Sequence, residues 1–143
     1  MPVCVRDVMT SKVRTIAADV TLSEAAKAMS KWKIGSLVIL KGGAPIGIIT
    51  EGDVSKSVAR GLDPKSKLGT IKRRELITVD PGEKLEVAAR IMAEAGIKKL
   101  PVMEGKKLVG IITQTDIVST SFALVTSLKE MVQARYRPPD FEP

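Results

Sequence analysis

The sequence contains an internal repeat, and this repeat limits the possible folds more than any other feature. Residues 15–54 align with residues 78–117 at a constant shift of 63 positions, without gaps, and 13 of the 40 aligned positions are identical. The strongest match is Gly-Ile-Ile-Thr-x-x-Asp, at residues 47–53 and 110–116. A fixed period indicates that one supersecondary unit occurs twice. With only two copies, we expect the units to pack against each other rather than to form a solenoid.

Both copies show the same order of strand and helix patterns. Each begins with a short extended segment and an amphipathic helix whose apolar residues recur at spacings of three and four; two strands joined by a tight turn and a final helix follow. The predicted segments are residues 13–16, 22–29, 36–40, 46–50 and 54–60, and then residues 76–79, 85–92, 100–103, 108–113 and 117–135. The order β-α-β-β-α predicts an α+β / α/β fold in which two motifs pack with pseudo-two-fold symmetry into one compact module.

The predicted division of the chain follows from its turn-forming residues. We assign residues 1–62 to motif 1 with an N-terminal lead-in, residues 63–70 to a linker, and residues 71–136 to motif 2 with an extended C-terminal helix. A linker of this length implies that the motifs are in contact. Residues 137–143 are predicted to be a flexible tail, because Arg137-Pro138-Pro139 cannot continue a helix.

The composition excludes several kinds of active site. The chain has no histidine and one cysteine, Cys4, so it lacks the commonest general base, the commonest metal ligand and any disulfide within the chain. It has no uncharged apolar run of about 18 residues and no apolar stretch behind a basic start. We therefore predict a cytoplasmic protein that is not an enzyme, has no catalytic or metal site, requires no cofactor and does not enter a membrane.

The repeated Thr-x-x-Asp sequence lies where a strand is predicted to become a helix. At such a helix start the first N–H groups are free and favour an anion or a capping oxygen. The carboxylates of Asp53 and Asp116 can accept hydrogen bonds from both hydroxyls of a ribose diol, and the hydroxyls of Thr50 and Thr113 can orient the same sugar. The same residues are also ordinary helix caps, which contribute about 1 kcal/mol. The two roles are compatible, and the sequence leaves both open.

Four sequence features together resemble the tandem CBS motif pair, or Bateman module, over about residues 5–120. They are Asp7-Val8-Met9-Thr10, Leu22-x-x-Ala25-Ala26, Ile97-x-x-Leu100-Pro101-Val102 and the duplicated Gly-Ile-Ile-Thr-x-x-Asp. The sequence departs from the family pattern at residues 71–73 (Ile-Lys-Arg), where Met-Thr is usual, and at residues 37–39 (Leu-Val-Ile), where Leu-Pro-Val is usual. These departures affect the expected shape of one pocket. They do not change the expected fold, which the resemblance implies for both motifs.

The resemblance implies a regulatory module that binds adenosine-containing ligands between the motifs: AMP, ADP or ATP, or else S-adenosylmethionine or NAD. The implied adenine pocket comprises Val13, Thr15, Ile34, Ser36, Ile77, Thr78 and Ile97. The candidates for phosphate contacts are Lys98, Lys99, Lys12 and Arg14. Core packing is the alternative role for Ile34 and Ile97, and a solvated surface is the alternative for the lysines. Gly35-Ser36 aligns with Lys98-Lys99, so the two half-sites, each with one Thr-x-x-Asp sequence, differ in charge, and we predict that they bind ligands with unequal affinities. The sequence does not show which strand opening serves which ribose site.

The resemblance also implies a homodimer and an unidentified effector protein that is regulated in trans. A different function, a basic nucleic-acid-binding protein on a CBS scaffold, is suggested by the net charge of +7 and by Lys72-Arg73-Arg74. It is less favoured, because the basic excess is spread along the chain and only Trp32 and Phe122 are aromatic between positions 10 and 135. For Trp32 we predict a place at the core edge or a dimer surface rather than base stacking.

Overall fold

The computed structural model describes residues 3–135, and the predicted flexible tail at residues 137–143 lies outside them. The helices and strands are α1 (Val5–Val8), β1 (Thr15–Ala17), α2 (Leu22–Trp32), β2 (Ser36–Lys41), β3 (Ala44–Thr50), α3 (Glu51–Ala59), α4 (Leu85–Ala95), β4 (Lys99–Glu104), β5 (Lys107–Thr113) and α5 (Gln114–Arg135). A 3-10 turn lies at Leu68–Thr70. None of the helices within residues 3–135 combines the length and the apolar composition needed to cross a membrane.

The two sheets repeat each other's register at the shift of 63 residues. In motif 1, β1 runs parallel to β2, and β2 pairs antiparallel with β3. Ile16 pairs with Ile39 there, and Val79 forms the equivalent isolated bridge with Val102 in motif 2, where a full first strand was expected. Strands β4 and β5 pair antiparallel, and an irregularity follows Ile39 in one sheet and Val102 in the other. The predicted fold of two repeated α+β motifs is confirmed.

The first long helix of motif 1, α2, has a clear start signal, and the first long helix of motif 2, α4, has a clear end signal. Thr21 Oγ1 accepts a hydrogen bond from the N–H of Glu24 at 3.1 Å, and the N–H of Thr21 donates to Glu24 Oε2 at 3.3 Å. This reciprocal capping box satisfies two N–H groups at the start of α2. Helix α4 ends at Gly96, whose φ of 65° lies in the left-handed region that favours glycine.

Each motif has an apolar core between its long helix and its sheet. The buried residues of the first core are Leu22, Ala25, Met29, Leu37, Ile39, Ile49 and Leu68. Those of the second core are Val5, Val79, Ala88, Met92, Leu100, Val102 and Ile112. Burial of side chains of this size is the main favourable contribution to folding. Two members, Leu68 and Val5, come from outside the aligned repeats.

The segment that precedes each repeat packs on the opposite motif. We call residues 4–10 the first lead-in and residues 67–73 the second lead-in. Thr10 exchanges two backbone hydrogen bonds of 2.9 Å with Ile111 of motif 2, and Val5 is fully buried in the second core. Leu68 and Ile71 pack into the first core. The exchanged lead-ins therefore tie the two motifs together.

Part of the predicted linker is bonded to the start of α2. The N–H of Leu22 donates to the carbonyl of Ser66, and the N–H of Ser23 donates to the carbonyl of Pro64, both at 2.9 Å. Strands β3 and β5 also contact each other directly. The motifs are thus in contact, as the short linker implies, while the exact motif boundaries stay a prediction.

Two glycines allow the lead-ins to lie close against the sheets. A Cβ atom on Gly110 would lie 2.5 Å from Met9 Sδ and 3.0 Å from the carbonyl oxygen of Thr10. A Cβ atom on Gly47, the equivalent position, would lie 2.6 Å from Nε of Arg73. The glycine of each Gly-Ile-Ile-Thr sequence therefore leaves room for a lead-in: at Gly110 for the backbone of Thr10, and at Gly47 for the side chain of Arg73.

Arg73 and Arg74, two of the three basic residues behind the nucleic-acid hypothesis, bond to backbone carbonyls. Arg74 donates to one carbonyl at 3.2 Å. The half-buried Arg73 donates at 3.3, 2.9 and 3.0 Å, respectively, to the carbonyls of Ile46, Leu68 and Ile71. Its guanidinium therefore holds the second lead-in in place, which reduces the charge that this segment can offer to phosphates.

Candidate ligand-binding site

The repeated Thr-x-x-Asp sequence forms a capping box at the start of the last helix in each motif. At α3, the N–H of Thr50 donates to Asp53 Oδ2 at 2.9 Å, and the N–H of Asp53 donates to Thr50 Oγ1 at 3.1 Å. At α5, Thr113 and Asp116 make the same two bonds at 3.0 and 3.1 Å. The capping role is therefore present in both motifs. A carboxylate has more acceptor sites than capping uses, so the additional ribose role stays a prediction.

Backbone hydrogen bonds hold each helix start against the opening of the second strand of its own motif. The N–H of Glu51 donates to the carbonyl of Gly35 at 3.1 Å, and the N–H of Gln114 donates to the carbonyl of Lys98 at 2.8 Å. Predicted adenine and ribose residues therefore become neighbours: Ile34 and Ser36 lie near Thr50, and Ile97 lies near Thr113.

Lys99 reaches from motif 2 to the helix start of motif 1. A Cβ atom on Gly35 would lie 3.4 Å from Lys99 Nζ and 4.0 Å from Glu51 Cδ. The ammonium and the carboxylate therefore adjoin the same small space beside the start of α3. Burial lowers the pKa of Lys99 below its ordinary value, and the negative charge of Glu51 opposes part of this shift. Lys99 therefore faces the opposite motif, and its contact with phosphates stays a prediction.

Replacing Lys99 by methionine should reduce a pH dependence of stability in the alkaline range. Below both of its pKa values, burial of the charged amine costs stability. The folded protein loses this proton at a lower pH than the unfolded chain does, so the free energy of unfolding rises with pH between the two pKa values. Urea titrations over a series of alkaline pH values measure the rise. We expect a smaller rise in Lys99→Met than in wild type or in Lys98→Met, its exposed neighbour; three equal slopes would contradict this.

A cleft of about 660 Å³ lies between the motifs, on the side of the two hairpin turns. It includes two predicted adenine-pocket residues, Val13 and Thr15, and two lysines that sequence analysis does not single out, Lys106 and Lys107. The only sequence signal for these lysines is a basic pair in a hairpin turn, which is more often solvated surface. The remaining lining residues are Ser11, Leu40, Gly43, Glu104 and Leu108.

A second cleft, of about 420 Å³, lies in motif 2 between α4 and the start of α5. Ile97, Lys98 and Gln114 line it together with apolar and small residues: Ala89, Met92, Ala93, Gly96, Ile117 and Val118. Neither this cleft nor the larger one includes the Thr-x-x-Asp threonines and aspartates themselves. Asp116 is flanked by lining residues of the smaller cleft and is half-buried, whereas Asp53 is exposed.

The other predicted pocket residues lie in different surroundings. Ile34 packs on the first core, which agrees with its alternative role in core packing. Ser36 is half-buried at the opening of β2, while Ile77, Thr78 and Lys12 are exposed. The structure therefore brings together the strand openings and the helix starts, but it does not bring Ile77 and Thr78 into either cleft.

Arg14, a predicted phosphate contact, packs on the only tryptophan. Its guanidinium carbon lies 4.8 Å from the centre of the Trp32 ring, a cation–π distance. Trp32 is 41% exposed at the end of α2. This contact occupies one face of the ring and favours the core-edge role for Trp32 over base stacking.

The architecture defines a class of module: two repeated α+β motifs with exchanged lead-ins, β-α-β-β-α in motif 1 and the same order in motif 2 with a single bridge at Val79 in place of the first strand. A strand opening of one motif meets a helix start of the other. The family model described as "CBS domain" matches residues 5–60 and residues 68–122. The chain therefore belongs to the CBS domain family and contains two CBS domains.

Several known proteins are similar over most of the chain. The CBS domain-containing protein YhcV of Bacillus subtilis is 31% identical over 79% of this chain and 81% of its own length. The CBS domain pair of protein MJ0100, in complex with 5'-methylthioadenosine and S-adenosyl-L-methionine, is 30% identical with a TM-score of 0.76, over 86% of this chain and 98% of that one. A hexameric CBS-CP12 protein from bloom-forming cyanobacteria is 35% identical with a TM-score of 0.74, over 82% and 67% respectively. The chain spans only 23% to 63% of the length of six further curated relatives.

Proposed function

We propose that this protein is a regulatory module that binds an adenosine-containing ligand between its motifs and signals to an effector protein in trans, without catalysis and without a required cofactor. The observation that carries the proposal is the position of Lys99 of motif 2 beside Glu51, two residues before Asp53 of motif 1. A cation for phosphate and a carboxylate for ribose then come from different motifs. The complex of MJ0100 with two adenosine compounds supports this choice of ligand class.

A ligand held in this way connects the two motifs. In one half-site, the ribose binds Thr50 and Asp53 and the phosphates bind Lys99. In the other half-site, the ribose binds Thr113 and Asp116. A ligand that prefers one arrangement of the motifs shifts the population toward it, and the effector protein reads the altered surface. The family resemblance favours a homodimer as the working unit, and the hexameric CBS-CP12 protein is an example of assembly in a relative.

The two half-sites should prefer ligands of different charge. Lys99 is replaced by the uncharged Ser36 at the equivalent position of the repeat. The ammonium group of Lys99 attracts each added phosphate of a ligand. The same group repels a ligand with a positive sulfonium, such as S-adenosylmethionine. We therefore expect ATP and ADP to favour the half-site with Lys99, and S-adenosylmethionine to favour the other.

Asp53→Asn and Asp116→Asn are each expected to weaken ligand binding at one half-site by about 10- to 100-fold. A hydrogen bond to a charged group contributes about 1.5–3 kcal/mol, and the substitution replaces a charged acceptor by an amide. The side-chain oxygen of asparagine can still accept the hydrogen bond from the N–H of the capping threonine, so the fold should be retained. Calorimetric titration of each variant with AMP, ATP and S-adenosylmethionine measures the loss.

Glu24→Gln is the matched control for these titrations. Glu24 closes a capping box of the same kind with Thr21, at the start of a helix that carries no Thr-x-x-Asp sequence. We expect its ligand affinities to equal those of wild type. Unchanged affinity in both aspartate variants and in their combination would remove the ribose assignment, and absence of binding to wild type would remove the proposed ligand class.

A further inference from the structure

The two helix starts of the repeat differ in charge although their Thr-x-x-Asp sequences match. In motif 1 the residue after the capping threonine is Glu51, and in motif 2 it is the uncharged Gln114. Both are exposed first residues of their helices. The two capping bonds at each helix start join the threonine to the aspartate and use neither of these side chains. The capping box therefore does not require the charge of Glu51.

The carboxylate of Glu51 and the ammonium group of Lys99 adjoin one small space. The position of a Cβ atom on Gly35 lies 4.0 Å from Glu51 Cδ and 3.4 Å from Lys99 Nζ. The N–H of Glu51 donates to the carbonyl of Gly35 at 3.1 Å, which holds the start of α3 beside this space. The negative charge of Glu51 also opposes part of the lowering that burial causes in the pKa of Lys99. Geometry and charge thus agree that the two groups interact across the motifs.

A phosphate that binds Lys99 lies in the field of the same carboxylate. The negative charge of Glu51 repels the phosphate, and the repulsion increases with every added phosphate, because Coulomb energies are proportional to charge. A positive group on a ligand is attracted instead. The aspartate of the Thr-x-x-Asp sequence adds a negative charge in both half-sites, so it does not distinguish them. Glu51 does, because its counterpart in motif 2 is uncharged.

We propose that Glu51 is a specificity-determining residue of the half-site at the start of α3, where its carboxylate offsets part of the attraction of Lys99 for phosphates. This inference rests on the proposed ligand-binding function and assigns a role to a residue outside the Thr-x-x-Asp contacts. Glu51 thereby narrows the difference in ligand charge preference that Lys99 creates between the two half-sites. Gln114 exerts no such effect in motif 2.

Glu51→Gln tests this role, because it gives motif 1 the residue that motif 2 already carries. In an Asp116→Asn background, which weakens the other half-site, calorimetric titration near neutral pH reports on the half-site at α3. We expect the affinity for ATP to rise about three- to tenfold, with a smaller rise for AMP and none for adenosine. The affinity for S-adenosylmethionine should fall. A change in the shape of the helix start would instead move all four ligands in the same direction.

Two further variants separate the position of the charge from its mere removal. Glu86→Gln removes an exposed acid from the first turn of α4, with the same change in net charge, and should leave every affinity unchanged. Gln114→Glu, in an Asp53→Asn background, places the acid in the other half-site, where it should weaken ATP binding and leave adenosine binding unchanged. The ATP gain in Glu51→Gln should also shrink at an ionic strength of about 1 M, because salt screens charges near the surface.

The outcomes distinguish this inference from the proposed function on which it rests. Wild type that binds none of the four ligands would refute both. Wild type that binds them, together with a Glu51→Gln protein whose ATP and adenosine affinities are unchanged or change by one common factor, would refute only the role of Glu51. A gain for ATP in Glu86→Gln as large as in Glu51→Gln would refute it as well, because net charge alone would then account for the effect.

Discussion

Replacing Leu68 by alanine is expected to lower the free energy of unfolding of the protein by about 2–5 kcal/mol. Leu68 lies in the second lead-in, ahead of the second repeat, but it is 1% exposed and belongs to the first core with Leu22 and Leu37. Alanine would leave a cavity that the surrounding side chains can fill only in part. Because a domain has a total stability of about 5–15 kcal/mol, this loss would be a large share of the whole.

Leu62→Ala is the matched control, because it makes the same change six residues earlier at a position that is 36% exposed. We expect it to cost well under half as much as Leu68→Ala. Urea unfolding followed by the fluorescence of Trp32, the only tryptophan, measures both variants. Equal losses from the two substitutions would show that the second lead-in does not contribute to the first core.

Replacing Gly110 by alanine is expected to lower the free energy of unfolding by about 1–3 kcal/mol. The added methyl group would lie 2.5 Å from Met9 Sδ and 3.0 Å from the carbonyl oxygen of Thr10. The Met9 side chain can turn away, but the Thr10 carbonyl accepts a hydrogen bond of 2.9 Å from the N–H of Ile111 and is held in place. The first lead-in must therefore shift away from β5.

Gly52→Ala is the control for this substitution. A Cβ atom there would meet only Thr50 Oγ1, at 3.6 Å, and the residue lies in the first turn of α3. Alanine is the better helix former by up to about 1 kcal/mol, so the stability should stay the same or rise. The same urea titrations decide the outcome, and a Gly110→Ala protein as stable as wild type would contradict the close contact between β5 and the first lead-in.

The exchanged lead-ins also matter for the candidate site. Thr10 is bonded to β5 of motif 2, and Ser11, Val13 and Thr15 follow it directly and line the larger cleft between the motifs. A change in the relative position of the motifs must therefore move these lining residues. Gly110→Ala should accordingly alter ligand affinity as well as stability if the nucleotide binds between the motifs.

Much of the local structure could be predicted from the sequence. The helix predicted at residues 22–29 is observed at Leu22–Trp32, and the strand predicted at residues 36–40 is observed at Ser36–Lys41. The Thr-x-x-Asp capping boxes form where each strand becomes a helix, as predicted, but both helices begin three residues earlier than the predicted residues 54 and 117, at Glu51 and Gln114. These features depend on contacts between residues three or four positions apart, or on alternation along a strand. The sequence pattern therefore predicts them directly.

Contacts between the motifs could not be predicted in the same way. Lysine and arginine are residue types of the solvated surface. Lys99 nevertheless reaches the start of α3, and Arg73 donates hydrogen bonds to three backbone carbonyls around the second lead-in. Each contact depends on how two separate units dock. Periodicity within one unit carries no information about that docking.

The sequence by itself determined that one unit of the β-α-β-β-α pattern occurs twice. It also determined where most of the helices and strands lie and which faces are apolar, because each of these properties depends on residues that are close together in the chain. Only the tertiary structure decided that the lead-ins exchange, that Leu68 and Val5 belong to the opposite cores, and that Lys99 faces Glu51. These pairings join residues far apart in the chain, and close packing of the two assembled motifs selects them.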